Sequence, residues 1–162
     1  MASFWKEYKQ IMDFESYDEG YRKNLDTLYG MLGFCNIVLF DSVAKFIPQS
    51  LGLIEPPDSQ EHQRNCHSYT FGKNTWFEVK NVHDAIKTGK LIETESPEKE
   101  NVILYYKRAS ANPIIKHSGI YLGKGKVRSK WANGPVFIHD VFNVPYSYGN
   151  IVIFFVRTGE EI

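Results

Sequence analysis

Cysteine is scarce in this chain, with only Cys35 and Cys66 among 162 residues. Two cysteines allow one disulfide at most, which excludes the disulfide-built frameworks of small secreted domains. Charge of one sign is not in excess either, since 19 Lys and Arg balance 19 Asp and Glu. Without a net field to draw the protein to polyphosphate or acidic lipid, neither nucleic acid nor a membrane surface is an expected partner. Lys116, Lys124, Lys126, Arg128 and Lys130 are spaced as the polar side of a hairpin. Long apolar runs are missing: Gly33 to Phe40 is too short to span a bilayer and is broken by Asn36. The amino terminus lacks an apolar core of signal-peptide length. The expected location is therefore cytoplasmic, with export by a route that uses no cleaved signal left open. No glycine-rich phosphate loop and no βαβ alternation is present, which argues against a nucleotide-binding fold. His62, Cys66, His67, His83, His117 and His139 are the candidate metal ligands, but none falls in Cys-x-x-Cys or His-Glu-x-x-His spacing. No metal and no cofactor is expected.

Aromatic residues, by contrast, are abundant at 15%, with ten Tyr and eleven Phe, a composition that favours strands and solid packing. The first third of the chain reads helical. Phe4, Trp5, Tyr8, Ile11 and Met12 share one helical face, and Tyr17, Tyr21, Leu25, Leu28, Tyr29 and Leu32 share another, with Gly33 as a stop. The apolar run Phe34 to Ile47 ends at Pro48, and Pro56-Pro57-Asp58-Ser59 marks a linker. Residues 1–58 are thus expected to be a helical extension packed on a core domain of residues 59–162. In that domain Cys66 to Phe71 predicts a short helix closed by Gly72, and Asn81 predicts the cap of a second one ending at Gly89. Strands are expected over Val102–Lys107, Ile114–Leu122, Lys126–Trp131, Val136–His139 and Ile151–Val156, with Gly123-Lys124-Gly125 as a hairpin turn. A helix on an antiparallel sheet is an α+β layout.

The two cysteines differ in setting. Cys35, in Phe34-Cys-Asn-Ile-Val-Leu-Phe, reads as an inert core residue. Cys66, in Gln63-Arg-Asn-Cys-His-Ser-Tyr, opens a predicted helix in a polar segment, where free N–H groups favour a thiolate. A thiol nucleophile also needs a base, and the base needs a polar group to orient it. His117, in a half-buried strand, is the candidate base, with Ser129 and His139 as candidates for the orienting group.

Asn65-Cys66-His-Ser-Tyr69-Thr-Phe-Gly72, Asn101-Val-Ile-Leu-Tyr-Tyr106 and His117-Ser-Gly119-Ile-Tyr-Leu-Gly123 together resemble the NlpC-type papain-like cysteine peptidases and amidases. In that family a cysteine opens a helix, an apolar strand follows, and a His-x-Gly-Ile-Tyr-x-Gly strand carries the base. The resemblance covers residues 60–131, and the family's usual Asp-Cys-Ser is here Asn-Cys-His. It implies a papain-like hydrolase with Cys66 as nucleophile, His117 as base and Ser129 or His139 orienting it. Asn65, with the Cys66 N–H, would bind the oxyanion, while Tyr69 and Trp131 would contact substrate. The implied substrate is a peptide or amide, cell-wall peptides among them. Two alternatives stay open: a non-catalytic binding module that retains the fold, and an acyltransferase working through a thioester.

Overall fold

A computed structural model describes residues 14–33, 37–59, 63–109, 112–131 and 134–162. The expected helical face from Phe4 to Met12, and Cys35, lie outside the described residues.

Helix α1 (Glu19–Gly33) buries Arg22, Leu25, Leu28 and Leu32, the three-and-four spacing of one helical stripe. Each Leu so buried contributes about 1.5–3 kcal/mol of transfer free energy. Arg22 is tolerated in that stripe because its guanidinium donates to the carbonyls of Val144 (3.0 Å) and Gly149 (2.8 Å). The helix is thereby tied to the chain around residues 144–150. Helix α2 (Ile37–Ala44) follows and ends before Pro48. Strand β1 (Gly52–Glu55) then pairs with a strand of the core sheet, so the amino-terminal extension is not purely helical as its spacing predicts. Four residues with mostly exposed side chains carry too little alternation to announce a strand; the edge they pair with creates it.

Helix α3 (Cys66–Thr70) and helix α4 (Val79–Lys87) come next. Asn81 does act in capping α4, but from inside: its side chain accepts the backbone N–H of Glu78, which is the true N-cap. Strands β2 (Leu91–Thr94), β3 (Val102–Ala109), β4 (Asn112–Gly123), β5 (Lys126–Lys130), β6 (Val136–Asp140) and β7 (Ile151–Arg157) complete the fold, with a 3-10 turn at Tyr146–Tyr148. All seven strands form one sheet in the order β1-β6-β5-β4-β3-β7-β2, and every pairing is antiparallel. The fold is α+β, and β2 is a second edge strand that the sequence pattern does not announce. Val102 to Tyr106 of the central β3 are buried on both faces, which explains their unbroken apolar run. Among the described residues no helix is long and apolar enough to cross a membrane.

Two glycines set close approaches. Gly119 lies where a Cβ would come 2.7 Å from Val127 Cγ1 and 3.1 Å from Arg128 O, so a side chain there would force β4 and β5 apart. Gly149 has φ +91°, and a Cβ on it would sit 2.1 Å from the carbonyl oxygen of Tyr106. Gly149→Ala is therefore expected to destabilise the protein by about 3 kcal/mol or more, since both backbone strain and overlap act at once. Gly30→Ala, inside α1 with open space around it, should instead raise stability by roughly 0.5–1 kcal/mol. Thermal unfolding of the two variants checks this; a tolerated Gly149→Ala would contradict the packing described.

Candidate active site around Cys66

Asn65 decides where α3 begins. Its Oδ1 accepts the Ser68 N–H at 2.7 Å, and Ser68 Oγ accepts the Asn65 N–H at 3.3 Å, a reciprocal capping box. The Asn65 amide nitrogen also donates to Phe77 O at 2.7 Å, and Ser68 Oγ accepts from the Phe77 N–H at 3.0 Å, which stitches the loop before α4 to the same helix end. The Asn65 side chain is thus committed to the cap, and the residue also lines the pocket that Cys66 lines. Upstream, the Asp58 carboxylate holds Arg64 at 3.0 Å and Lys130 at 3.1 Å. Burial pushes that carboxyl up, but the two cations outweigh it and hold it below its ordinary value. Lys130 is fully buried here and also donates to Gly134 O, in contrast to its expected place on the polar side of a hairpin.

Cys66 is the first residue of α3 and 9% exposed. It lines a pocket of about 340 Å³ with His67, Tyr29 of α1, Trp76, and Glu78 and Val79 at the start of α4. Burial pushes the thiol up to about 11, against the N–H groups of Ser118, His67 and Cys66 itself and the Ser118 hydroxyl, which pull it down. The expectation of a thiolate favoured by the helix start is therefore corrected. A five-residue helix has little dipole, and desolvation of the charged sulfur outweighs it.

His67, next to Cys66, places Nδ1 2.7 Å from Ser118 Oγ of β4. Ser118 Oγ donates to Thr70 Oγ1 (3.0 Å), and Thr70 Oγ1 donates to the Cys66 carbonyl (2.8 Å). This buried string of hydroxyls fastens α3 to β4. His117 is fully buried, its ring stacked on Tyr148 at 4.0 Å between centroids and 11° between planes, with Tyr105 5.3 Å away. Neither of its ring nitrogens has a hydrogen-bond partner, so Cys66 and His117 are not hydrogen-bonded.

The expected orienting groups serve each other. His139 Nδ1 donates to Asp140 O at 2.7 Å, which leaves its Nε2 to accept from Ser129 Oγ, also at 2.7 Å. Strand β5 separates β6 from β4, so His139 is not on the neighbouring strand that its expected role requires. Trp131 is not a wall of the pocket: it is fully buried, packed edge-on against Phe137 and 6.1 Å from the His139 ring. Tyr69 is half-buried under the Arg64 guanidinium and does not line the pocket. Of the residues that do adjoin Cys66, Ser118 and Tyr29 are not marked as site residues by the sequence, and His67 is marked only as a candidate metal ligand. The one available signal is that His67 and Ser118 each sit beside a residue already singled out. Among the described residues no group of three or more His, Cys, Asp or Glu could hold a metal ion; His62 lies outside them.

Comparison with known proteins gives no match to any family model, curated protein or solved structure.

Three histidines are held below their ordinary 6.5, each foremost by burial: His67 to about 4, with His83 adding repulsion, His139 to about 4, and His117 well below its ordinary value. The unfolded chain takes up protons on these rings as pH falls below about 6.5, and the folded chain does not. Stability is thus fully present above pH 6.5 and is lost as pH falls towards 4, by several kcal/mol in total. Denaturant unfolding at pH 7, 6, 5 and 4 checks this; a curve flat between 6.5 and 4 would contradict it. Iodoacetamide at pH 7 should label Cys66 roughly 100-fold more slowly than an ordinary cysteine, with the rate rising as pH approaches 11. Ordinary labelling speed at pH 7 would mean that the sulfur is not desolvated as described.

Proposed function

We propose that this protein is a cysteine-dependent hydrolase of amide or ester bonds, with Cys66 as the nucleophile. The observation that carries the reading is the placement of Cys66. It sits at the first residue of a capped helix on an antiparallel sheet, opening into a pocket of about 340 Å³ with a histidine in the same wall. The layout, a cysteine helix against a strand reading His117-Ser-Gly119-Ile-Tyr121, supports a papain-like arrangement. Because the thiol is held near 11, attack starts from the neutral S–H. The proton passes to an imidazole as the sulfur bonds to the acyl carbon, and returns to the leaving amine or alkoxide as the C–N or C–O bond breaks. Water, activated by the same imidazole, then cleaves the thioester and frees the acid. The Ser118 N–H, which already opposes the rise in the thiol pKa, is a donor beside the reacting sulfur. Peptides and other amides, including those of bacterial cell walls, are the substrate class that the NlpC-type resemblance suggests; an amine acceptor in place of water would make the same chemistry an acyl transfer.

The second reading, a binding module that keeps the fold without the chemistry, is favoured by the lack of any hydrogen bond to the His117 ring. The two readings part on covalency. Incubation with p-nitrophenyl acetate or a peptide thioester should place one acyl group on Cys66, seen as a mass increment on its peptide, and Cys66→Ala should carry none. No adduct on the native protein supports the binding module, and an adduct that survives Cys66→Ala moves the nucleophile elsewhere.

A further inference from the structure

The hydroxyl string beneath Cys66 fixes a proton that neither the sequence nor the resemblance assigns. Thr70 Oγ1 uses its single proton on the Cys66 carbonyl, which can only accept. The contact between Ser118 Oγ and Thr70 Oγ1 at 3.0 Å must then carry the Ser118 proton. Ser118 Oγ has no second proton, so its 2.7 Å contact with His67 Nδ1 requires the hydrogen to sit on Nδ1. A neutral imidazole protonated at Nδ1 has a bare Nε2, a proton acceptor. His67 also lines the pocket that Cys66 lines, and His117 does not.

We infer that His67, not His117, is the histidine that serves Cys66, with Nε2 as the proton acceptor and Ser118 as the group that orients the ring. The inference rests on the hydrolase reading and names the base within it. A base of this kind needs an oriented ring, a fixed tautomer and access to the reacting atoms. His67 has the first two through Ser118 and the third through the shared pocket, whereas His117 is stacked under Tyr148 with both nitrogens unpartnered. In the reaction the Cys66 S–H bond breaks as its proton moves to Nε2, directly or across one water molecule, and the S–C bond forms. The Nε2 proton then goes to the leaving amine or alkoxide; in the second half Nε2 takes a proton from the water that attacks the thioester and returns it to Sγ as the S–C bond breaks. The ring is neutral at pH 7, since burial and the neighbouring His83 hold it low, and proton transfer to it accompanies attack instead of preceding it. The other titratable groups facing this pocket are Tyr29, Cys66 and Glu78, and His117 interacts electrostatically with His67 from outside its lining.

Two measurements test it. Nitrogen-15 NMR of the native protein at pH 7 should show His67 with a protonated Nδ1 and an unprotonated Nε2, a pattern that Ser118→Ala disturbs; the opposite tautomer overturns the inference without any assay of activity. The second is the rate of Cys66 acylation by p-nitrophenyl acetate. His67→Asn retains a donor for Ser118 but removes Nε2, and should slow acylation roughly 100-fold while remaining folded. Should His67→Asn fail to fold, Ser118→Ala is read in its place, and acylation at the native rate there counts against the inference. Loss of acylation in His117→Asn with native rates in His67→Asn overturns it in favour of His117. Native protein that takes no acyl group, yet shows the expected tautomer, sinks the hydrolase reading itself, and with it any base for Cys66.

Discussion

One hydroxyl, that of Ser118, holds the site together. It touches His67 and Thr70 of α3, lies beside the Cys66 sulfur, and stands on β4 next to the buried His117. A buried polar group without partners costs about 1–3 kcal/mol, and here several would be orphaned at once if the contact were lost. The contact needs α3 seated closely on β4, for which two other features are responsible. Asn65 starts the helix at Cys66, and the ion pairs of Asp58 with Arg64 and Lys130 anchor the approach to it.

Burial, and not helix polarity, governs the chemistry of this centre. Three backbone N–H groups surround the Cys66 sulfur, and the thiol still lies near 11 because water is excluded. The same exclusion keeps His67, His117 and His139 neutral. A neutral thiol beside a neutral imidazole alkylates only slowly at pH 7; under the hydrolase proposal it reacts when an acyl group enters the pocket and proton transfer accompanies attack. The amino-terminal helix takes part in this, since Tyr29 of α1 lines the pocket and meets Tyr148 edge-on at 5.6 Å, while Tyr148 in turn covers His117. The buried Arg22 fastens that helix to the chain on either side of Tyr148.

Where periodicity is strong, the fold is legible in the sequence. The Leu25, Leu28 and Leu32 stripe announces α1, Gly123-Lys124-Gly125 announces the turn between β4 and β5, and the apolar run from Val102 announces the central strand. The edge strands β1 and β2 are silent, because four half-exposed residues acquire strand character only from the partner they add to. In the site, Cys66 at a helix start is readable from Asn65 and the polar segment around it. The relation of His117 to Cys66 is not. A motif gives residue types and spacing, but whether a ring meets sulfur or stacks on a tyrosine depends on how α3 and the turn at Tyr146–Tyr148 pack on the sheet. Ser118 is invisible for the same reason: a serine in a strand carries no signal until the opposing helix supplies His67 and Thr70.

The claim on which this account rests is that α3 and β4 are joined through that serine as one energetic unit. A double-mutant cycle on unfolding free energy, with Ser118→Ala and Thr70→Val singly and together at pH 7, tests it most directly. The account predicts a coupling energy of about 0.5–3 kcal/mol between the two positions. Additive effects, with coupling below about 0.3 kcal/mol, would contradict it and remove the basis for reading Ser118 as the group that orients His67.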